Sequence, residues 1–586
     1  VLETVDGHRV VYDAAAAVRM LEQDRVVGID SETTGLSPWR DKIATVQLYG
    51  DDTGTLALLR CPDGIPWPLR EFLTRTKATF VVHNGVSFDI PFLHCNGVDV
   101  NRPTWYDTLV AETAVAATQR RNVSVSLRQS VRRRLGLEID KDVQRSDWSN
   151  PDLTDQQVEY ALRDVLSLPA LRRAQLNRAA EAGVTVGLEV EQALVPVVAA
   201  MTITGLPLDM EEFWRYVYGL QDRRTIAEEK VREYLGEVNL RSPAKVAAAM
   251  VVAGAEPPRV LRELKTGRKL RYTTDNAALL DLERFGGQAG DVARALLDFR
   301  GPDQQLKVYD EEWVRRYVVD GVIHAKYWQC STDTTRFSCS EPNLQQFPQS
   351  MRYLIGGVPG RSVVSADYSQ IEIRCAAHIS RDTALLAAIG KTDIHREIAA
   401  TMFGVLPEAV TDEQRGLAKA VSFTLLFGGG PATVLDHANR SGSNLSESTA
   451  QGLINAFFYR FPGIKAMRDK AVVSARRGRP VTIRIPHGLK RTLFGGQVRP
   501  TRILNTAVQS TAASGIKYAM LEAHKRGLVV GRLGAQVHDE LVAAFVPETE
   551  ATEYVEELRE CMMVGMARVG DFPVEVATKV GSHWQK

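Results

Sequence analysis

Three apolar runs that end on acid groups, far apart along the chain, constrain its fold most. They are Val26–Ile29 ahead of Asp30 and Glu32, Val363–Ala366 ahead of Asp367, and the strands around Gln536 and over Leu541–Phe545 that bracket Asp539 and Glu540. A short run of β-branched and aliphatic residues bounded by polar groups reads as a buried strand. No strand is stable alone, so each needs sheet partners.

Between these anchors the patterning changes several times. Residues 1–186 carry further short strands, Thr45–Tyr49 and Phe80–Val82, and a helical pattern over Thr154–Arg178, an α/β layout. Residues 187–315 are mostly helical, with Met210–Leu235 and Ala277–Phe285. Residues 316–378 return to β-type runs such as Val318–Val322, and 379–500 are mainly helical. Residues 501–586 mix helices over Leu504–Arg526 and Glu548–Ala567 with the strands around Asp539. A length of 586 residues fits about three to five domains.

A net charge of +1 from 72 basic and 71 acidic residues leaves the question of nucleic acid to where the charge sits. The basic residues are 54 Arg and 18 Lys, an excess that fits a GC-rich coding genome and supplies planar forks suited to phosphate. Arg259, Arg262, Lys265, Arg268, Lys269 and Arg271 crowd one stretch. With Gly267 inside it and Thr273–Asp275 after it, this stretch reads as a loop leading to a capped helix. It serves equally as a solvated face or as a tip that tracks phosphates.

Six cysteines without a CxxC pair are expected to be reduced packing thiols. No apolar run approaches the length of a membrane span, and Leu194–Ile203 is short and holds Pro196. Glu3 and Asp6 stand where a secretory leader would be apolar. A cytoplasmic protein with no membrane association is therefore expected.

Asp30 and Glu32 fall on one face of a strand and offer hard oxygen ligands to a divalent cation. Alone, such a pair is equally a cap or a turn. Further on, His83-Asn84 leads to Asp89 after a second apolar strand, Asp107 extends the acidic set, and Tyr160 and Asp164 stand one turn apart on a helix. In the second half, Arg415, Lys419 and Phe423 recur every fourth residue and share one helix face. Two cations and then an aromatic suit a triphosphate followed by a sugar and base.

The ordered set DxE, NxxxxD and YxxxD resembles the DEDDy proofreading exonucleases, which have an RNase H-like fold. That resemblance implies Asp30, Glu32, Asp89 and Asp164 as ligands for two Mg²⁺ or Mn²⁺, with Tyr160 orienting the attacking water. The segments around Asp367, Arg415–Gly428 and His538–Glu540 resemble motifs A, B and C of family A DNA polymerases, the group of bacterial DNA polymerase I. Thr335–Ser338, Glu341–Pro348, Asp393–Arg396, Asn505 with Gln509, and Gly581–Trp584 extend the likeness.

It implies a multidomain α/β and α+β chain. The exonuclease domain would span 1–186 and the thumb with its connecting helices 187–315. The palm, with an antiparallel sheet, would span 316–378 and 501–586, and the helical fingers 379–500. Asp367 and Asp539 would hold two further Mg²⁺, with Glu540 and Lys419 completing the catalytic set. Arg415, Lys419, Phe423, Phe427, His395, Glu372, Gln370 and Tyr368 would bind dNTP, with Glu372 blocking a ribose 2′-hydroxyl. Phe423, rather than Tyr, implies discrimination against dideoxynucleotides. Arg336, Asn343, Gln345, Asn505, Gln509, His538, Lys307 and Arg300 would touch primer–template DNA.

Three departures stand out. Phe427 replaces a usual Tyr, Thr424 a usual Gly and Ser422 a usual Asn, so handling of the template base is in question. With DxE inside the first 35 residues, no separate 5′-nuclease domain is expected ahead of it. The resemblance points to a monomeric bacteriophage replicative polymerase, with helicase, primase or single-strand-binding proteins as partners. Two other readings stay open at this point: a nuclease whose second half only grips DNA, and a non-enzymatic primer–template binding module.

Overall fold

A computed structural model describes residues 3–116, 123–139, 146–150, 152–264, 267–389, 393–440 and 445–585. Two compact units result, one from 1–207 with 323–586 and one from 208–322.

In the first unit, seven strands form one sheet: β1 (Thr4–Val5), β2 (His8–Val11), β3 (Val26–Thr33), β4 (Ile43–Gly50), β5 (Leu56–Arg60), β6 (Thr79–Val82) and β7 (Thr104–Asp107). Their order is β1-β2-β5-β4-β3-β6-β7. β3 runs antiparallel to β4 and parallel to β6, the mixed α/β layout expected here. Val27, Ile29, Val46, Leu48, Phe80 and Val81 are buried, and Asp30 and Glu32 follow in the same strand, paired with β4 but beyond the stretch that pairs with β6.

The helix Asp155–Ala182 crosses β3. It starts with a reciprocal cap, in which Gln157 N donates to Thr154 Oγ1 and Thr154 N donates to Gln157 Oε1, and it ends at left-handed Gly183. Gly28 permits the crossing, since a Cβ there would lie 2.9 Å from the Val165 carbonyl oxygen. Gly28, Asp30 and Glu32 alternate along one strand face, so the close approach brings this helix over both acids.

The same unit contains a four-stranded antiparallel sheet in the order Leu533–Val537, Glu540–Pro547, Arg361–Tyr368, Val576–Gly581. This is the antiparallel sheet expected of a palm. Asp367 stands opposite Glu540 in register. Helices Ile371–Ser380, Ile394–Phe403, Asp412–Leu426 and Pro500–Lys525 supply most of the remaining framework, and a hairpin of Val481–Arg484 with Lys490–Leu493 interrupts the helical 379–500 stretch.

The helices Thr185–Ala193 and Val195–Thr204 belong to this first unit rather than to the helical one. Leu188, Glu191, Val197, Val198 and Met201 are buried. Together, Thr185–Thr204 are 20 residues containing an 18-residue window of mean hydropathy 1.5, long and apolar enough by length and composition to cross a membrane, contrary to the sequence expectation. Most of that stretch is buried inside the protein, and burial on all sides gives a core helix the same all-round apolar surface.

The second unit packs Met210–Leu235 and Gly287–Leu306 around Val231, Val246, Met250, Leu279, Val292, Leu296 and Phe299. Its basic stretch is not a loop. Arg259–Leu264 and Gly267–Tyr272 pair as an antiparallel hairpin that sets Lys269 against Arg262 and Arg268 against Glu263. Lys265 lies outside the described residues, as do the side chains of residues 261–269. The helix expected after it is present at Asn276–Phe285, capped by Asp275, whose Oδ1 accepts from Ala278 N at 2.9 Å. All six cysteines are free thiols; five are buried and Cys95 is exposed.

Candidate active sites

Across the first sheet, Tyr160 gathers acids around its phenol. Burial comes first, then Asp164, Glu32 and Asp30, and together they push its proton affinity far above the ordinary phenol range. The strand face and the helix face predicted from spacing thus meet.

Asp89 reaches β3 from a separate helix start. It opens the helix Asp89–Cys95 and is buried, and Ser31 Oγ donates to its Oδ1 at 2.6 Å. Ser31 lies between Asp30 and Glu32 in β3 and, by strand alternation, points to the other face. Burial, with the Asp107 charge adding to it, raises the Asp89 carboxyl to about 7.

Asp107 is a strut rather than a member of an open acidic wall. Its carboxylate accepts backbone N–H from Asn84 at 3.0 Å, Val86 at 3.3 Å, Leu109 at 2.8 Å and Val110 at 3.4 Å. It thereby ties the left-handed turn at Asn84 to the start of the next helix.

On the palm sheet, a two-residue turn with left-handed His538 brings Asp539 beside the end of Arg361–Tyr368, where Tyr368 N donates to the Asp539 carbonyl oxygen at 3.2 Å. Asp367 reaches solvent but is ringed by protein. Burial, Glu540 and Asp539 raise its carboxyl to about 7, with Arg352 and Lys579 opposing them. Asp539 is also raised, by burial first, with Arg336 opposing. Arg336 bridges the cleft: its Nη2 donates to Glu372 Oε1 at 2.9 Å and lies 3.6 Å from Asp539 Oδ1. Gln509 Nε2 reaches the same Glu372 oxygen at 3.3 Å.

Several expected roles are corrected. Both oxygens of Glu540, expected in the catalytic set, are occupied, one by Arg352 Nη1 at 2.9 Å and one by Trp584 Nε1 at 2.9 Å, so it is held as an orienting carboxylate. Tyr368 is buried and its hydroxyl donates to the Met562 carbonyl oxygen, so its side chain does not face a nucleotide. Arg300 donates to Thr274 and Asn276, and the half-exposed Lys307 pairs with Asp303 at 2.6 Å, ties that lie within the second unit. Ser422 and Thr424 are buried and bond back to the Lys419 and Ala420 carbonyl oxygens, so the two departures face the core instead of a template base.

The Asp412–Leu426 helix does place Arg415, Lys419 and Phe423 in a row. Arg415 Nε donates to Asp393 Oδ2 at 2.6 Å, and Asp393 caps the helix that carries His395. His395 stands 5.9 Å from the Phe423 ring, and Phe427 continues the aromatic line at 6.2 Å. Burial, then Lys419 and Arg415, hold His395 down to about 4, so it is a neutral imidazole. Both its ring nitrogens and Asn505 Oδ1 are buried without a protein hydrogen-bond partner, which suits groups that await a ligand.

Gln370 takes the left-handed conformation just before the helix that opens with Ile371 and Glu372. Asn343 Oδ1 accepts from Gln345 N at 3.1 Å, Gln345 Nε2 reaches Gln536 Oε1 at 3.1 Å, and His538 is exposed.

Among the described residues no group of three or more His, Cys, Asp or Glu could hold an ion. Mg²⁺ does not require such a cage, since it is commonly held by one or two carboxylates with water and substrate phosphates supplying the rest. The crowded pair Asp367 and Asp539, and the acids around Tyr160, are hard-oxygen donors of that kind.

The sequence reading missed several ties. Arg491 and Arg502 both grip Asp333. A fully buried trio, Glu191, Lys517 and His487, joins three distant segments. Burial would raise the Glu191 carboxyl, but Lys517 and His487 overcome this and hold it at about 2. The one available signal was a pair of acids, Glu189 and Glu191, directly before the apolar run from Leu194.

Comparison with known proteins gives two family matches, DNA polymerase family A over residues 211–586 and 3′-5′ exonuclease over residues 11–177. A DNA polymerase I of Aquifex aeolicus is 27% identical over 597 residues, covering 97% of each chain. One of Chloroflexus aurantiacus is 31% identical over 467 residues, 74% of this chain and 47% of the relative. The chain thus spans nearly all of the first and about half of the second. A solved structure described as the POL domain of Pol1 from M. smegmatis in complex with DNA primer-template and dNTP matches with a TM-score of 0.81. It is 25% identical over 98% of this chain and 99% of that one.

Proposed function

The chain belongs to DNA polymerase family A and carries a 3′-5′ exonuclease domain, and from that premise we propose that it extends a primer on a DNA template with dNTPs and trims mispaired ends. The observation that supports this reading most is the state of Asp367, whose carboxyl is lifted to about 7 by burial first and then by the charges of Glu540 and Asp539, a penalty that a bound cation relieves. In this reading Asp367 and Asp539 hold Mg²⁺ at the synthetic centre, and Asp30, Glu32, Asp89 and Asp164 hold Mg²⁺ or Mn²⁺ at the trimming centre. Divalent cations bound there supply charge stabilisation and a more acidic attacking hydroxyl or water.

The chain's own groups do the rest. Arg415 and Lys419 lie along the triphosphate, and neutral His395 donates one N–H to it. The primer 3′-hydroxyl gives its proton to solvent water, its oxygen bonds to the α-phosphorus as the bond to pyrophosphate breaks, and Lys419 passes a proton to the leaving pyrophosphate and regains one from solvent. Phe423 stacks on the sugar and base. Glu372, steadied by Arg336 and Gln509, fills the space a 2′-hydroxyl would need. Asn505 and Gln509 face the primer–template. At the second centre, Tyr160 orients the attacking water.

Boundaries of thumb, palm and fingers near those read from sequence, a monomeric state, work in the cytoplasm, and a phage replisome with helicase, primase and single-strand-binding partners complete the proposal. The phage source rests on the compact size, the Asn84–Asp89 spacing and the high Arg content, and the relatives compared are bacterial.

A labelled primer–template with Mg²⁺ tests it. Extension with dNTPs and shortening without them is expected. Shortening without extension would favour a nuclease whose second half only grips DNA, and binding without turnover would overturn both.

A further inference from the structure

Two consecutive residues of the helix Thr185–Ala193 each begin a line of contacts to a different centre. Gln192 clamps the end of edge strand β7 as a strand partner would. Its Oε1 accepts from Asp107 N at 2.8 Å and its Nε2 donates to the Asp107 carbonyl oxygen at 3.0 Å. The Asp107 carboxylate in turn holds Asn84 N and Val86 N, in the turn that leads into Asp89, and Asp89 bonds Ser31 between Asp30 and Glu32.

Glu191 points elsewhere. It pairs with Lys517 on the Pro500–Lys525 helix and lies 3.1 Å from His487 Nε2. Gln329 Nε2 donates to the Glu191 carbonyl oxygen at 2.9 Å. Lys517 Nζ sits 5.4 Å from the centre of the Phe337 ring, a cation–π contact. Phe337 follows Arg336, the guanidinium between Glu372 and Asp539.

The helix is also seated backbone to backbone on the hairpin turn after His487. A Cβ on Gly187 would lie 2.5 Å from Leu489 N, and one on Gly488, itself left-handed, 2.6 Å from Gly187 N. A buried ion pair costs desolvation of both charges and is weak evidence for stability. A role in fixing geometry accounts for keeping this one.

We propose that Gln192 and Glu191 are positioning residues for the two centres: Gln192 sets the trimming centre through Asp107, and Glu191 sets the synthetic centre through Lys517 and Phe337. The inference rests on the function proposed above. A displacement of about 1 Å at a reacting group costs up to roughly a hundredfold in rate, so modest loosening is readable.

The experiment uses the full chain in single-turnover assays, shortening of single-stranded DNA without dNTPs and one-nucleotide extension. The unsubstituted protein is run first. Failure of either activity there overturns the proposed function, and with it this inference. With both activities present, Gln192→Ala is expected to lower kcat for shortening about tenfold. KM for DNA and the rate of extension should stay within about twofold. Gln192→Glu keeps the acceptor half of the clamp and should fall between Gln192→Ala and the parent.

Glu191→Ala strands a buried lysine and risks misfolding. The paired variant Glu191→Gln with Lys517→Met removes both charges and should fold. It should lose about tenfold in kcat for extension, with shortening unchanged. Equal loss of both activities in either variant, a change in KM alone, or parental rates from both at unaltered melting temperature would overturn the proposal.

Discussion

At the end of the Arg361–Tyr368 strand, acid charge is met by base: Arg352 and Lys579 act on Asp367, and Arg336 acts on Asp539. Beside Tyr160 and Asp89 the charges that act are Asp164, Glu32, Asp30 and Asp107, all acids. On the Asp412–Leu426 helix, Arg415 and Lys419 add two further cations, which act on His395. A centre that must grip a triphosphate keeps permanent cations, while one that cuts a single phosphodiester can draw its compensation from ions arriving with the strand. The contrast therefore predicts different sensitivities in the two regions.

Removing a permanent cation should have the largest effect. Lys419→Ala is expected to slow extension on the order of 10²–10³-fold, the scale of losing one preorganised electrostatic contact, and to leave shortening unchanged. Rates on one labelled primer, with and without dNTPs, measure both. A matching fall in shortening would erase the contrast.

Glu372→Ala should raise ribonucleotide incorporation by roughly 10–100-fold. The Arg336 and Gln509 contacts it loses should slow deoxynucleotide addition far less. Competition between a ribonucleotide and its deoxy counterpart reads this directly, and unchanged sugar selectivity removes Glu372 from the nucleotide site.

Acid should weaken shortening through Asp89. A carboxyl raised to about 7 is mostly ionised at pH 8 and mostly protonated at pH 6, and only the ionised form holds a cation. At limiting Mg²⁺ the rate should drop about tenfold between those values, and added Mg²⁺ should move the fall to lower pH. A flat profile over pH 6–8 would contradict the burial of that carboxyl.

The smallest effect is on stability. The Asp367 carboxyl is raised from its ordinary value to about 7, so ionising it costs the folded state. In metal-free buffer that cost is absent below about pH 4 and fully present above about pH 7. Asp367→Asn should melt higher than the parent at pH 8 and equal to it near pH 4. Water at this exposed strand end screens the charge, so a shift of about one or two degrees is expected. Melting curves at the two pH values decide it.

Short-range geometry carried most of what the sequence revealed. Asp30 and Glu32 share a strand face, Tyr160 and Asp164 a helix face, and Arg415, Lys419 and Phe423 a helix row, because periods of 2 and 3.6 fix them locally. What pairs across the fold left no local trace. Trp584 and Arg352 occupy Glu540 across the palm, and Lys517 meets Glu191 from far along the chain. Asp89 was identified by its spacing, yet its bond to Ser31 depends on how a helix start meets β3. Arg259–Tyr272 reads as a loop in the sequence because its strands, RVLREL and GRKLRY, show no apolar–polar alternation and are rich in cations around Gly267. Pairing between its own two halves makes it a hairpin.

The central claim is that one chain holds two separate carboxylate centres, one that builds a strand and one that trims it. Asp539→Ala and Asp30→Ala, tested side by side on the same labelled primer–template with Mg²⁺, address it most directly. Asp539→Ala should abolish extension and keep shortening, and Asp30→Ala should do the reverse. If either variant, still folded, loses both reactions or neither, the two centres are not the independent sites described.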